Sequence, residues 1–254
     1  MIDYRVCIAT LGRSKVIVKK TIALLQRHKI EMDRVDILLG TPQEADAYRE
    51  TLNGIWDGDF IFHYQTDMMS IVNFIRMYYK YETSVKYLVR MDDDLDEIIN
   101  MDRKPCKDLN RMICKNFEFT ENLGLRYWGI GAVPNPFFMK DKMAVGLRFI
   151  HGAFNCEIID REREDIQTEF SQYEDTSMTC EFYLRDGGVV KDCSVALKTK
   201  LFTDGGMNQN EGGYDERIKN CNKLAYEMKE HYGDMVSVVD KGFRKDIKIN
   251  WRYK

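Results

Sequence analysis

The first 91 residues alternate between short apolar runs and segments with helical spacing, and this alternation constrains the fold more than any other feature. The apolar runs predict strands at 4–9, 35–39, 60–64 and 85–91. The segments between them predict helices at 16–28, 42–52 and 68–81. Strands separated by helices are typical of a parallel sheet with helical crossovers, whose ligands bind beyond the carboxyl ends of the strands.

The pattern changes after residue 100. Between 103 and 150, short apolar runs mix with turn signals such as paired glycines and prolines. Farther on, the spacing favours two strands around Gly152 and a helix at 176–184, then a strand at 189–195 and a helix at 214–231. Neither an internal repeat nor a linker interrupts the chain, so we predict a single domain over 1–254.

Composition limits the class of protein. Apolar residues make up 44% of the 254 residues, and the net charge is −3, which is typical of a globular chain and argues against tight non-specific DNA binding. The seven cysteines are odd in number and form no C-x-x-C pair. No secretory leader or apolar run of about 20 residues stands out, so we expect a cytoplasmic protein with mostly buried thiols.

Three aspartates, Asp92, Asp93 and Asp94, directly follow the strand predicted at 85–91. Carboxylates packed this closely repel one another, and a hard divalent cation relieves the repulsion because it prefers oxygen ligands. A spacing of two puts Asp92 and Asp94 on the same side of an extended backbone. The run therefore predicts a site for Mn²⁺ or Mg²⁺ that bridges to the phosphates of a nucleotide.

A second acidic pair, Glu174 and Asp175, precedes the helix predicted at 176–184. The Asp175 carboxylate can serve as a general base that deprotonates an acceptor hydroxyl beside a metal-bound leaving group. A polar, glycine-rich segment farther on can close over a diphosphate, since backbone N–H groups bind anions. Its candidate residues are Lys198, Lys200, Asp204, Gly205, Gly206 and Asn208.

Each of these features also has a purely structural interpretation. The aspartate run can be a solvated loop in which Asp94 or Asp96 caps a following helix. Asp175 can be the N-cap of its own helix, and the glycine-rich segment can be an ordinary surface loop. The residues alone leave both interpretations open.

The strand-end loop, the aspartate run and the acidic pair together resemble a GT-A-fold glycosyltransferase. The matching segments are TLGR at 10–13, DDD at 92–94 as the DxD motif, and ED at 174–175 before a helix. The resemblance implies an α/β, Rossmann-like, mostly parallel central sheet flanked by helices, with a smaller mixed sheet on the acceptor side. It also implies a nucleotide-binding half at 1–100 and an acceptor-binding half with a C-terminal arm at 101–254.

The resemblance also implies roles for individual residues. Asp175 is the expected catalytic base of an inverting transfer, and Asp92 and Asp94 are the expected ligands of Mn²⁺ or Mg²⁺. The expected acceptor-binding residues are His151, Gly152 and Glu174, although His151 can equally be a structural histidine. Gly205 and Gly206 are the expected closing loop. The nucleotide-sugar site is expected to comprise Thr10, Leu11, Gly12, Arg13, Arg90, Asp92, Asp93 and Lys198.

The second half is similar to the glycosyltransferases encoded in phage genomes beside TET/JBP-type DNA hydroxylases. The similar segments are YEDTSMTCEFYLRDGG, LKTKLFTDGGMNQNEGGYDER and KINWRYK. The similarity implies a UDP-sugar donor, 5-hydroxymethylcytosine in phage DNA as acceptor, and action in the host cytoplasm. The basic end, 241–254, carries interleaved aromatics that can contact DNA, or that can instead pack on the core.

Three other classes share part of this pattern. A GT-A glycosyltransferase acting on a cell-surface glycan, a lipid or a protein would share every motif except the C-terminal similarity. A nucleotidyltransferase would share the α/β pattern and the carboxylates, but its first loop is ordinarily richer in glycine and basic residues than TLGRSK. A non-catalytic module would bind a sugar nucleotide without turnover. The sugar, the nucleotide and the oligomeric state stay open.

Overall fold

The computed structural model describes residues 2–199 and 214–253. Within these ranges a nine-stranded sheet runs in the order β3-β2-β1-β4-β8-β6-β9-β5, and β7 pairs with β9. Its strands are β1 (Tyr4–Ala9), β2 (Val35–Leu39), β3 (Ile61–Phe62), β4 (Tyr87–Met91), β5 (Glu97–Asn100), β6 (Tyr127–Gly131), β7 (Met143–Gly146), β8 (Phe154–Ile158) and β9 (Val189–Lys198). All except β5, β7 and β8 run in one direction, so the sheet is mostly parallel.

Helices flank this sheet, and a small antiparallel hairpin lies apart from it. The hairpin strands are β10 (Val236–Asp240) and β11 (Lys245–Ile249). The helices are α1 (Ser14–Ile17), α2 (Ala23–Arg27), α3 (Ala45–Leu52), α4 (Met68–Tyr81), α5 (Leu109–Asn122), α6 (Glu174–Asp186) and α7 (Tyr214–Tyr232). A π-helical turn, Val18–Ile22, joins α1 to α2. No helix in the described part of the chain is long and apolar enough to cross a membrane.

Local signals in the first half explain why its elements form where they were predicted. Asp67 caps α4, because its Oδ1 accepts a hydrogen bond of 3.0 Å from the Ser70 N–H. Thr41 and Glu44 form a capping box before α3, with Pro42 in the first turn. The prediction for 60–64 was too long, since only two residues, Ile61–Phe62, pair with β2.

The second half departs further from the sequence predictions. Residues after the aspartate run form β5 rather than a helix, so the helix-capping interpretation of Asp94 and Asp96 is wrong. One strand, β8, forms within 147–159 instead of two. The predicted smaller second sheet is present as the antiparallel β10–β11 hairpin, while β5, β7 and β9 extend the main sheet. The elements α5, β6 and β7 escaped prediction. Strands β6 and β7 are short and contain glycine, whereas α5 has an amphipathic pattern that the prediction overlooked.

The C-terminal hairpin packs through its aliphatic residues rather than its aromatics. Val236 and Ile249 join a cluster with Met228 of α7. Phe243 and Trp251 are instead more than half exposed, at 59% and 54%. The interpretation in which the tail aromatics pack on the core is therefore wrong for these two rings. Six of the seven cysteines are buried, as composition predicted.

Strand register decides where ligands can bind. Because β1 and β4 pair in parallel with Ile8 opposite Met91, the loops that follow them begin side by side. These loops carry Thr10 and Asp92. Two segments 80 residues apart in sequence thus meet at one edge of the sheet.

Candidate active site

A cleft of about 1150 Å³ opens at this edge. Its N-terminal wall is formed by residues within the ranges 9–13, 63–71 and 92–94. Its C-terminal wall comes from residues 132–153, 191–193 and 244–251. Residues 172–176, which include the start of α6, complete the lining together with Thr199 and Cys221. The cleft therefore brings the strand-end loop, the aspartate run and the acidic pair together.

Asp93 fastens the strand-end loop. The buried Thr10 hydroxyl donates a hydrogen bond of 2.5 Å to Asp93 Oδ2, and Tyr48 OH lies 2.8 Å from the same hydroxyl. Arg13 Nη1 lies 3.1 Å from Asp93 Oδ1 and 3.3 Å from Asp94 Oδ2. Both Asp93 oxygens thus contact the loop, and Asp93 positions the segment predicted to hold the nucleotide.

Hydrogen bonds hold the backbone of the neighbouring Asp92 in place. The Asp92 N–H donates to Ala153 O at 3.0 Å, and Thr21 Oγ1 donates to the Asp92 carbonyl at 2.7 Å. Burial and the charges of Asp94 and Asp93 raise the pKa of Asp92 to about 7. Such a strained acidic pair is stabilised by a cation.

The donor set fits Mn²⁺ or Mg²⁺ bound together with a phosphate ligand. Within residues 2–199 and 214–253, no group of three or more His, Cys, Asp or Glu side chains is arranged to hold a metal ion. Mg²⁺ is usually held by one or two carboxylates plus substrate phosphates rather than by an all-protein cage. Asp92 and Asp94 are therefore suited to a metal that arrives with a nucleotide.

The acidic pair begins helix α6 directly after a residue with a strained backbone conformation. Tyr173 is the N-cap and has φ 64°, the left-handed conformation that most side chains avoid. Glu174 and Asp175 are therefore the first two helical residues, and the N-cap interpretation of Asp175 is wrong. Asp175 Oδ1 accepts 2.7 Å from the Thr176 N–H, and its Oδ2 accepts 3.3 Å from the Gly152 N–H. These bonds fix the direction of the carboxylate.

Gly152 lets the loop before β8 approach the acidic pair. A Cβ atom at this position would lie 3.1 Å from Glu174 Oε1 and 3.5 Å from the Asp175 Cβ. This approach also brings His151 close, and its Nδ1 accepts 3.0 Å from the Ala153 N–H. His151 lines the cleft, and its Nδ1 is already engaged in this hydrogen bond.

Burial dominates the electrostatics of this group. Burial and the charge of Asp175 raise the pKa of Glu174 to about 8, so Glu174 is mostly protonated at neutral pH. Burial also raises the pKa of Asp175, which His151 and the Gly152 N–H counteract. Burial lowers the pKa of His151. One carboxylic acid and one neutral imidazole thus lie beside Asp175.

Several predicted site residues do not line the cleft. Lys198 is exposed at the end of β9, and the alternation of the strand turns Thr199 toward the cleft instead, where its hydroxyl donates 3.1 Å to the Asp94 carbonyl. Arg90 lies within β4 outside the lining, and its charge partly counteracts the rise in the pKa of Asp92 and of Glu174. Gly12 does not line the cleft, and its N–H donates a hydrogen bond to the Glu44 carboxylate.

The predicted closing loop lies outside the described residues. The candidates in that segment are Lys200, Asp204, Gly205, Gly206 and Asn208. Leu11, in contrast, lines the N-terminal wall beside Thr10 and Arg13.

Sequence reasoning missed most of the C-terminal wall. Four cationic side chains on it form what we call the basic rim, which comprises Lys140, Lys142, Arg148 and Lys248. Three exposed rings stand among them, and these are Phe137, Phe138 and Trp251, with exposures of 80%, 65% and 54%. The run PFFMKDK at 136–142 is a signal that could have revealed part of this surface, because it pairs aromatic with basic residues.

Comparisons with known proteins identify the fold. No protein-family model matches the chain, and no curated protein sequence does. The structure is similar to a mannosyltransferase from Pyrobaculum calidifontis in complex with GDP-Man and Mn²⁺, with a TM-score of 0.57 and 11% identity. The match covers 90% of this chain and 64% of that one, so the chain spans just under two thirds of that structure. Residues 1–349 of TarS from S. aureus align with a TM-score of 0.49 and 12% identity, over 90% of this chain and 73% of that one.

At 11% identity the likeness is one of fold. The predicted α/β architecture is confirmed in its central feature, a mostly parallel sheet flanked by helices as in GT-A glycosyltransferases.

Proposed function

We propose that this chain is a metal-dependent glycosyltransferase that moves a sugar from a nucleotide sugar, with UDP as its nucleotide, to an acceptor hydroxyl. The observation that carries the proposal is the single cleft in which Asp92 and Asp94 face the start of α6 with Asp175. A GT-A-like fold around that cleft supports it.

The N-terminal wall is the donor side in this proposal. Thr10, Leu11 and Arg13 receive the nucleotide, and their loop is fastened by Asp93. Asp92 and Asp94 would hold Mn²⁺ or Mg²⁺, which supplies positive charge to the leaving diphosphate. The interaction of Arg13 with Asp94 places a guanidinium at the same edge, where it can add to that charge.

Asp175 is the base in this proposal. Its raised pKa and fixed orientation suit a carboxylate that takes the proton from an acceptor hydroxyl as the hydroxyl attacks. A single displacement of this kind inverts the anomeric carbon. Glu174, protonated at neutral pH, and His151 are the acceptor-side neighbours that orient the hydroxyl.

The C-terminal wall supports a DNA acceptor, with 5-hydroxymethylcytosine of phage DNA as the modified base. The basic rim supplies positive charge, and Phe137, Phe138 and Trp251 supply exposed rings on which bases can stack. Positive grooves interleaved with aromatics are typical of proteins that bind single-stranded or extruded bases. This local surface removes the objection raised by the net charge of −3.

The test is incubation of the protein with Mn²⁺, a pool of UDP-sugars, and DNA that contains either cytosine or 5-hydroxymethylcytosine. Mass spectrometry of the nucleosides should show a hexose-sized gain only on the hydroxymethylated DNA, and Asp94→Ala should abolish it. Metal-dependent UDP release without a gain in DNA mass would support glycosyltransferase activity and exclude DNA as the acceptor. Neither gain nor release, with GDP-sugars also tried, would contradict the proposal.

A further inference from the structure

Lys191 is a lysine inside the cleft that forms no ion pair with a carboxylate of the described residues. It lies on β9, and its register partner on β7 is Ala144. Both residues line the cleft, as does Cys193, the next residue on the same face of β9. Because Ala144 and Cys193 are small, the space beside the Lys191 side chain stays part of the cleft.

The ammonium group has an incomplete set of partners. Its Nζ donates to the Phe149 carbonyl at 3.1 Å and lies 5.9 Å from the centre of the Phe149 ring. No carboxylate of the described residues forms an ion pair with Lys191. Burial, together with the like charge of Arg148, lowers the pKa of Lys191. Among the described residues, this half-buried cation contacts a carbonyl and a ring and lies near a second cation, which is costly unless an anion completes the site.

Its position relates this cation to the candidate base. Lys191 and Asp175 shift the pKa of His151 in opposite directions, so His151 lies within electrostatic reach of both. The contacts agree, because Lys191 donates to the Phe149 carbonyl and the centre of the Phe149 ring lies 6.0 Å from that of the His151 ring. Lys191 therefore belongs to the acceptor side of the cleft rather than to the side with the metal ligands.

We propose that Lys191, together with Arg148, binds a phosphodiester of the acceptor strand next to the base that receives the sugar. Arg148 is already anchored for this task, because its Nη1 donates 2.8 Å to the Trp251 carbonyl and its guanidinium lies 5.5 Å from the centre of the Trp251 ring. The inference rests on the proposed function in taking DNA as the acceptor. It adds a defined anion subsite to that function.

The test compares two single-stranded oligonucleotides that carry one 5-hydroxymethylcytosine. One has ordinary linkages, and the other has a neutral methylphosphonate at the linkage beside that base. Binding is measured by fluorescence anisotropy over a range of salt concentrations. We expect the neutral linkage to weaken binding by the wild type about 10-fold and to lower its salt slope by about 0.7.

Lys191→Met should bind the ordinary strand about 10-fold more weakly than the wild type does. Its affinity should be the same for the ordinary strand and for the strand with the neutral linkage. Lys191→Arg, which keeps the charge, should restore the sensitivity. Lys115→Met is the matched control, because Lys115 is an exposed lysine of α5, whose next residue, Asn116, bonds Asp192 on the other face of β9. If the neutral linkage still weakens binding by Lys191→Met about 10-fold, the inference is wrong.

A second readout separates this inference from the proposed function. If the wild type binds neither strand, DNA as the acceptor is discarded, and inorganic phosphate then probes the subsite alone. A rise in the melting temperature with phosphate that Lys191→Met loses and Lys115→Met keeps would retain the anion subsite. Equal behaviour of all three proteins toward phosphate would overturn it.

Discussion

The two walls of the cleft differ in how their charges are balanced. On the N-terminal wall, Asp93 contacts Thr10 and Arg13, so much of its charge is paired within the chain. On the C-terminal wall, the basic rim and Lys191 form no ion pair with any carboxylate in the described part of the chain. Paired charges position a loop, whereas unpaired charges complement a ligand. The comparison assigns the preorganised wall to the donor and the cationic wall to an anionic acceptor.

The largest expected effect is at Asp94. Asp94→Ala removes one of two proposed metal ligands and should lower kcat about 1000-fold, since a metal contributes several kcal/mol to stabilising a leaving diphosphate. The same change relieves repulsion at Asp92, which offsets the lost contact with Arg13, so the free energy of unfolding should change little. Initial rates of sugar transfer with and without EDTA, beside denaturant unfolding, measure both. Full activity in EDTA would contradict the assignment of the N-terminal wall to the donor and its metal.

The next effect is at Asp175. Asp175→Asn keeps the shape of the side chain and should lower kcat about 100-fold or more by removing the base. The dissociation constant of the nucleotide should not change, because Asp175 contacts Gly152 and Thr176 rather than the N-terminal wall. Steady-state rates and a nucleotide titration on the same sample separate the two roles. Unchanged kcat would exclude Asp175 as the base.

Asp93 should behave differently from Asp94, although they are adjacent. Asp93→Ala leaves the buried Thr10 hydroxyl and the Arg13 guanidinium without this partner. We expect a loss of about 2 kcal/mol in the free energy of unfolding, as for other buried hydrogen-bonded charges. Chemical denaturation of Asp93→Ala and Asp94→Ala in parallel measures the contrast. Equal stability of the two variants would show that Asp93 does not fasten the loop.

The basic rim tests the assignment of the C-terminal wall to the acceptor. A combined Lys140→Gln, Lys142→Gln and Lys248→Gln variant should weaken binding of single-stranded DNA about 10-fold and flatten its salt dependence. Donor binding should be unaffected, because none of the three contacts the aspartate run. Anisotropy with a labelled oligonucleotide measures the first effect and calorimetry the second. A variant that loses the donor instead would reverse the assignment of the walls.

The smallest expected effect is a pH dependence of stability at Glu174. The folded protein holds a proton on this carboxyl up to its pKa of about 8, whereas the unfolded chain releases it near 4.5. The resulting stabilisation is complete below pH 4.5 and is lost as the pH rises through 8. Glu174→Gln should remove about 1 kcal/mol or more of that decline between pH 6 and pH 8.5, in metal-free buffer. If the variant loses stability with rising pH as the wild type does, another group causes the loss.

The sequence predicted the N-terminal wall better than the C-terminal wall, for a physical reason. Strand–helix alternation is a local signal, and it placed α4 at 68–81 and β2 at 35–39 as the structure has them. The meeting of Thr10 with Asp92–94 followed from strand order alone. Lys191 and Arg148 line one cleft because β7, β9 and the segment after the C-terminal hairpin come together. These are contacts between distant segments that no local pattern encodes. Lys198 was predicted on residue type, and strand alternation turned Thr199 inward in its place.

The most direct measurement is a calorimetric titration of UDP and GDP, each with and without Mn²⁺, into the wild type, Asp94→Ala and the triple rim variant. The assignment of the walls predicts that one nucleotide binds at least about tenfold more tightly with Mn²⁺. It also predicts that Asp94→Ala loses this gain and that the rim variant keeps it. Nucleotide binding that ignores both Mn²⁺ and Asp94, or that disappears when the rim is neutralised, would contradict it.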